Sequence, residues 1–143
     1  MRIERKASSI LITFTVVALA NGVMTSLIPV LYSLAANEGV EYKFIWYGTF
    51  CLIDILSIYL LYKFHKLMKQ NVSAVAGVAG VAFLVLATLQ TMFFVEQYVF
   101  TTSYTRQLYQ YGIPLVNLVL ISVLVVLWVA QKHQVKHRLH GIA

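Results

Sequence analysis

Apolar and polar positions alternate along this chain on the scale of whole segments rather than single residues. Four long apolar runs are separated by short polar stretches. The first extends from about Ser8 to Ala36 and the second from about Phe44 to Tyr62. The third covers about Val72 to Val95, with a helical extension to Phe100, and the fourth about Tyr109 to Ala130. An apolar run of about 18 residues or more reads as a membrane span, because a helix rising about 1.5 Å per residue then crosses the hydrocarbon layer. Backbone amides and carbonyls in lipid must be satisfied within their own segment, so these spans are helices. No period-two alternation of the barrel-strand kind occurs. The connections are short, about Asn37–Lys43, Lys63–Asn71 and Glu96–Leu108. Short links make successive helices antiparallel neighbours. The pattern therefore predicts an all-α integral membrane protein: a single domain over 1–143, built as a four-transmembrane-helix up-down bundle. Residues 131–143 form a short basic tail that contains histidines.

Composition agrees. Hydrophobic residues make up 60% of the 143 and charged residues only 11%. Soluble domains carry about 25% charged residues. The distribution of charge then sets the expected topology. Arg2, Arg5 and Lys6 precede the first span, Lys63, Lys66 and Lys69 follow the second, and Lys132, Lys136 and Arg138 follow the fourth. Nine of the eleven basic residues thus fall on one side, leaving Lys43 and Arg106 with Glu38, Glu41 and Glu96 on the other. The positive-inside rule places both termini in the cytoplasm, with the protein a multi-pass component of the plasma (inner) membrane. This basic surface of Lys63, Lys66, Lys69, Lys132, Lys136 and Arg138 suits anionic headgroups or an acidic cytoplasmic protein partner. Nucleic acid is not expected, because topology alone accounts for the charges. The Ala18-Leu19-Ala20 triplet fits a small-residue cleavage site. The apolar run continues well beyond it, and the topology needs the helix, so the first span is expected to be retained.

Within the second run, Asp54 is the only charged side chain. A carboxylate in mid-bilayer costs about 2.5–3.5 kcal/mol on insertion scales, so it needs a partner, a proton or water. Each span holds one such polar residue: Asn21, Asp54, Gln90 and Asn117. Counted from the inner end of each run at about 1.5 Å per residue, Asp54 lies about 13 Å deep, Asn21 and Asn117 about 20 Å and Gln90 about 27 Å. Asp54 is thus expected to meet Asn21 or Asn117, with Gln90 nearer the outside. Two uses compete: a path for an ion or small polar solute with Asp54 at its centre, or interhelical hydrogen bonding that only holds the bundle together. Pro29 and Pro114, in the outer halves of their spans, are expected to kink their helices and widen an outward cavity.

Other features add less. Ser73, Ala76, Gly77 and Gly80 form small-xxx-small pairs that let helix backbones approach closely, and are expected to promote packing and self-association. Tyr32, Tyr42, Tyr47, Tyr98, Tyr104, Tyr109, Tyr111 and Trp46 gather toward the outside as an interfacial aromatic belt or an outer vestibule. His133, His137 and His140 are spaced i, i+4 and i+7, a ligand-like spacing if the fourth helix continues, with His65 as a possible fourth member. The plainer reading is a basic helix end. No histidine falls within an apolar run, which argues against haem, and no cofactor is expected. Cys51 is the single cysteine, so no intramolecular disulfide forms, and it reads as a small apolar residue. No nucleophile motif, phosphate loop or acid pair is present, so an enzyme is not expected. No family motif occurs, and architecture alone does not give function. The reading is a small oligomeric channel or transporter. The alternative is a sensor, immunity or anchoring subunit that recruits a cytoplasmic partner through its basic loops.

Overall fold

The computed structural model describes residues 2–102 and 104–140, with side chains for 9–102 and 104–130. Helices α1 (Arg2–Ala35), α2 (Val40–Leu67), α3 (Ala74–Phe94) and α4 (Arg106–His140) follow one another along the chain. All four are long and apolar enough to cross a membrane. Helices α1, α2 and α4 exceed their apolar runs at one end or both, because a helix needs only backbone hydrogen bonds to continue and does not stop where the hydrocarbon would, whereas α3 lies within its run. Pro29 and Pro114 lie inside uninterrupted helices and their side chains are exposed.

The links are closed by identifiable local chemistry. Between α1 and α2, Gly39 adopts φ 129°, a left-handed conformation that favours glycine. The Lys43 ammonium donates to the carbonyls of Ala35 and Asn37, and so satisfies the free end of α1. At the other end of α2, Gln70 N–H donates to the His65 carbonyl at 2.9 Å and Lys69 N–H to the Lys66 carbonyl at 3.1 Å. Lys69 stands at φ 50°. This is a Schellman ending in which lysine occupies the left-handed position usually given to glycine. Ser73 then starts α3, its hydroxyl accepting from the Ala76 amide at 3.3 Å. After Phe94 the chain makes one π turn, Val95–Val99. The Glu96 carboxylate accepts from the Thr105 amide at 2.9 Å and from the Thr102 hydroxyl at 3.3 Å. It thereby caps the N-terminal end of α4, where negative charge is favoured.

These contacts show the helices alternating in direction, as an up-down arrangement requires. They are not evenly shared. Helix α3 is the hub, packing against α2, α4 and α1, whereas α4 leans on α3 and only lightly touches α1. A third of the most apolar window of α1 and of α3 is buried, against 11% for α4. The core lies between α1, α2 and α3, around Val16, Leu61, Ala79, Phe83 and Leu86, and α4 adds Leu120 and Leu124. The molecule is therefore a three-helix core with a fourth helix along one flank, rather than four equal staves.

Candidate functional site

Helix α2 turns one face into this core. Phe50, Asp54, Ser57, Leu61 and His65 are its buried residues. Asp54 and His65 are eleven residues apart, so at 3.6 residues per turn they differ by only about 20° in direction and are separated by about 16 Å along the axis. Two polar groups are built on this stripe.

The first is Asp54 with Gln90 of α3. Asp54 is fully buried, at 0% exposure, and Gln90 is at 5%. Gln90 Nε2 donates to Asp54 Oδ2 at 3.3 Å. Asp54 Oδ1 and Gln90 Oε1 are buried and have no hydrogen-bond partner among the described residues. The pair thus carries two sealed oxygen acceptors and no donor for either. A bare carboxylate in such a place is strongly disfavoured. A proton on Oδ1 would turn that oxygen into a donor and leave Gln90 Oε1 as its acceptor on the same pair. A small cation shared by both oxygens would satisfy them equally well.

The expected partners of Asp54 are corrected here. Asn21 Nδ2 donates to the Val17 carbonyl at 2.9 Å, and Asn117 Nδ2 to the Ile113 carbonyl at 3.1 Å, each within its own helix. Both residues are half-buried. The depth count misplaced Gln90 because it began at the end of the apolar run. Helix α2 continues to Leu67, thirteen residues beyond Asp54, and α3 begins at Ala74, sixteen before Gln90. Measured from those ends, the two lie at about 20 and 24 Å, close enough to meet.

Above the pair, toward the end of the molecule that carries the α1–α2 link, lies an open pocket of about 380 Å³. Tyr32, Trp46, Tyr47, Tyr98 and Tyr109 line it, with Lys43. Its floor is aromatic. Phe93 and Tyr109 stack with ring centroids 4.3 Å apart, and Tyr47 lies 5.5 Å from Phe93 and 5.6 Å from Tyr109. Tyr47 is two turns before Asp54 on α2, about 10 Å along the axis, and Phe93 follows Gln90 by one turn on α3. The aromatic floor therefore stands between the pocket and the buried pair. Of the eight aromatic residues grouped in the sequence, Tyr32, Trp46, Tyr47, Tyr98 and Tyr109 line this pocket, whereas Tyr42, Tyr104 and Tyr111 do not.

The second polar group joins residues that the sequence placed in separate roles, His65 as a possible fourth ligand and Ser73 as a small packing residue, through Ser9. His65 is 2% exposed and Ser9 1%. His65 Nε2 and Ser9 Oγ lie 2.7 Å apart, and His65 Nδ1 lies 2.7 Å from the Leu61 carbonyl. Ser9 Oγ donates to Ser73 Oγ at 2.9 Å. This junction ties the first turns of α1 and α3 to the last turns of α2. His65 lies in the last turn of α2, at the end of the span where the sequence placed it, but its ring is turned inward and buried. Both ring nitrogens are engaged by the protein, which leaves none for a metal. The signal in the sequence was its alignment with Asp54 at i+11.

The remaining candidates separate. Ala76 is buried and Ser73 caps α3, whereas Gly77 and Gly80 have open space where a Cβ would stand. Lys63, Lys66 and Lys69 are exposed, with Lys66 Nζ 5.9 Å from the Tyr62 ring centroid. Cys51 is half-buried, its sulfur 3.4 Å from Thr91 Oγ1. Helix α4 runs through His133, His137 and His140, but their side chains, with those of Lys132, Lys136 and Arg138, lie outside the described residues. Among the described residues no group of three potential metal ligands occurs. No protein-family model, no curated protein and no solved structure matches the chain.

Proposed function

We propose that the protein is a small membrane channel or transporter whose central site is the Asp54–Gln90 pair, and that the species it takes is a proton or a small cation. The observation that carries this reading is the pair's hydrogen bonding. Two buried oxygens lack donors, and one of them belongs to a carboxylate with no exposure to solvent. A pair serving only to join helices would be expected to satisfy its own acceptors, since a buried unpartnered polar group costs about 1–3 kcal/mol. Every unmet requirement here is for positive charge or for hydrogen.

The route to the pair runs from the aromatic pocket, past Tyr47 and Phe93. Rings of this kind attract cations through their faces. In the orientation given by the basic residues, that pocket opens outside and the Lys63, Lys66 and Lys69 end faces the cytoplasm of the plasma membrane. The half-buried Asn21 and Asn117 line the flanks, each keeping a side-chain carbonyl oxygen for a passing ion. Gly77 and Gly80 offer a close-packing face on α3 for a second copy, so the working unit in this reading is a homo-oligomer.

The test is flux through purified protein in liposomes under a proton gradient and with a panel of monovalent and divalent cations. Wild type is expected to conduct or couple at least one of them, and Asp54→Asn to lose at least about tenfold of that flux while remaining folded, the scale of a 1.4 kcal/mol loss at the site. Undiminished flux in Asp54→Asn would refute the assignment. Absence of flux for every solute by folded wild type would refute transport, and the exposed Lys63, Lys66 and Lys69 would become the first place to seek a docking partner.

A further inference from the structure

The buried pair separates a metal ion from a proton by what it can offer each. Asp54 and Gln90 own three side-chain oxygens between them. Asp54 Oδ2 already accepts from the Gln90 amide, and Asp54 Oδ1 and Gln90 Oε1 have no partner among the described residues. The next side-chain oxygen on the buried face of α2 is that of Ser57, whose hydroxyl donates to the Ile53 carbonyl at 2.7 Å. The backbone carbonyls around the pair are engaged within continuous helices. Even if all four side-chain oxygens turned to one ion, they would fall short of the roughly six to eight that magnesium and calcium take. A monovalent ion that sheds its water needs a comparable ring of oxygens in its place. Softer metals need three or four His, Cys, Asp or Glu ligands, and no group of three occurs among the described residues. The approach is also ill suited to a metal. The pocket above the pair is lined by Lys43 and by no carboxylate, so an incoming cation meets a like charge.

We infer that the species taken up by the Asp54–Gln90 pair is a proton, held on Asp54 Oδ1 and donated to Gln90 Oε1. The inference rests on the transport reading and names its cargo. One proton satisfies both unpartnered oxygens. Oδ1 becomes an O–H donor, Oε1 becomes its acceptor, and the bond from the Gln90 amide to Oδ2 is kept. The carboxylate charge disappears in the same step, and with it the cost of burying that charge. On release, Oδ1 returns to an unpartnered acceptor and Gln90 loses the hydrogen bond to its carbonyl. Nothing but the proton is exchanged. No charge supplied by the packed helices can take its place. Residues 9–35 of α1, 74–94 of α3 and 107–130 of α4 contain no Asp, Glu, Lys, Arg or His. The titratable neighbours on α2 are Cys51 about one turn before Asp54, Tyr47 two turns before and His65 three turns after. Helix α4 adds Tyr109, which meets Tyr47 in the aromatic floor, and α1 adds Tyr32 in the pocket wall.

The test uses full-length protein in lipid nanodiscs, with isotope-edited infrared spectra of the labelled Asp54 carboxyl. Carboxylate and carboxylic acid give separate bands, and Asp54→Asn identifies them by their loss. The bands would be followed through a pH series, repeated in sodium, potassium, magnesium and calcium at constant ionic strength. Wild type is expected to pass from carboxylate to acid as pH falls, with the same midpoint in every cation. The acid band is expected to move in Gln90→Met, which removes the acceptor of the O–H. A midpoint that falls as one cation rises, by about one pH unit for each tenfold increase, is the mark of a competing ion. It would overturn the proton as cargo in favour of that cation, and leave the transport reading of the pair in place. A single band unmoved by pH and by every cation would overturn both together. An acid band in the same position in folded Gln90→Met would overturn the assignment of Gln90 Oε1 as the proton's acceptor.

Discussion

The Asp54–Gln90 pair and the Ser9–His65–Ser73 junction are built on one face of α2, three turns apart, and all of their residues but the half-buried Ser73 are sealed from solvent. They differ in how their hydrogen bonds end. At the junction His65, Ser9 and Ser73 are joined in one run of hydrogen bonds that closes on the backbones of α2 and α3. At the pair a single bond of 3.3 Å joins the helices and two oxygens are left over. A satisfied polar group in a core fixes geometry. An unsatisfied one is costly and persists where something else completes it. In the proposed reading the junction holds the helices and the pair takes a ligand, although both place polar residues in an apolar bundle.

Substitutions can break this contrast from either side. The largest loss of stability should come from His65→Ala, which removes the ring and strands Ser9 and the Leu61 carbonyl. A loss of about 3 kcal/mol is expected from cavity and unpaired-group terms together, measured by unfolding in mixed micelles. Ser9→Ala should cost about 1–2 kcal/mol in the same assay, since one hydroxyl is removed and two partners lose a bond. If these values were matched by Asp54→Asn, the division of labour would fail. Asp54→Asn should change stability by less than about 1 kcal/mol, because replacing a buried ionisable group by a neutral isostere is close to neutral, while abolishing flux. The smallest effect is expected at Lys69, whose left-handed backbone beside the junction strains a non-glycine residue. Lys69→Gly should stabilise by up to about 1 kcal/mol, and a loss of stability there would show that the lysine side chain contributes more than its strained backbone costs.

The four spans were legible in the sequence because each apolar run is long and its flanks are charged. The inequality among them was not. The middle of α4, from Leu118 to Ala130, is apolar on nearly every side, so no periodic face distinguishes its seam on α3, at Leu120 and Leu124, from the positions facing outward. Asp54 was legible because it is isolated, but its partner was not. Gln90 emerged only when the true helix ends replaced the ends of the apolar runs, shifting the relative depth of the two by about two turns. His65 was hidden by its neighbours. Lys63 and Lys66 flank it and make it look like part of the basic collar, whereas α2 winds on to Leu67 and turns the ring inward. Charge near a helix end reports topology well and burial poorly, since alternate residues there face opposite environments.

Asp54 is the only aspartate in the chain, so carboxyl-¹³C aspartate introduces a single probe at the centre of the account. Its carboxyl signal would be recorded in lipid across a pH series and a cation series. Two distinguishable states exchanging with pH or with one cation, the exchange altered in Gln90→Leu, is the result predicted for a site that binds and releases positive charge. One unchanging state under every condition, in protein that remains folded, would contradict it and reduce the pair to an interhelical contact.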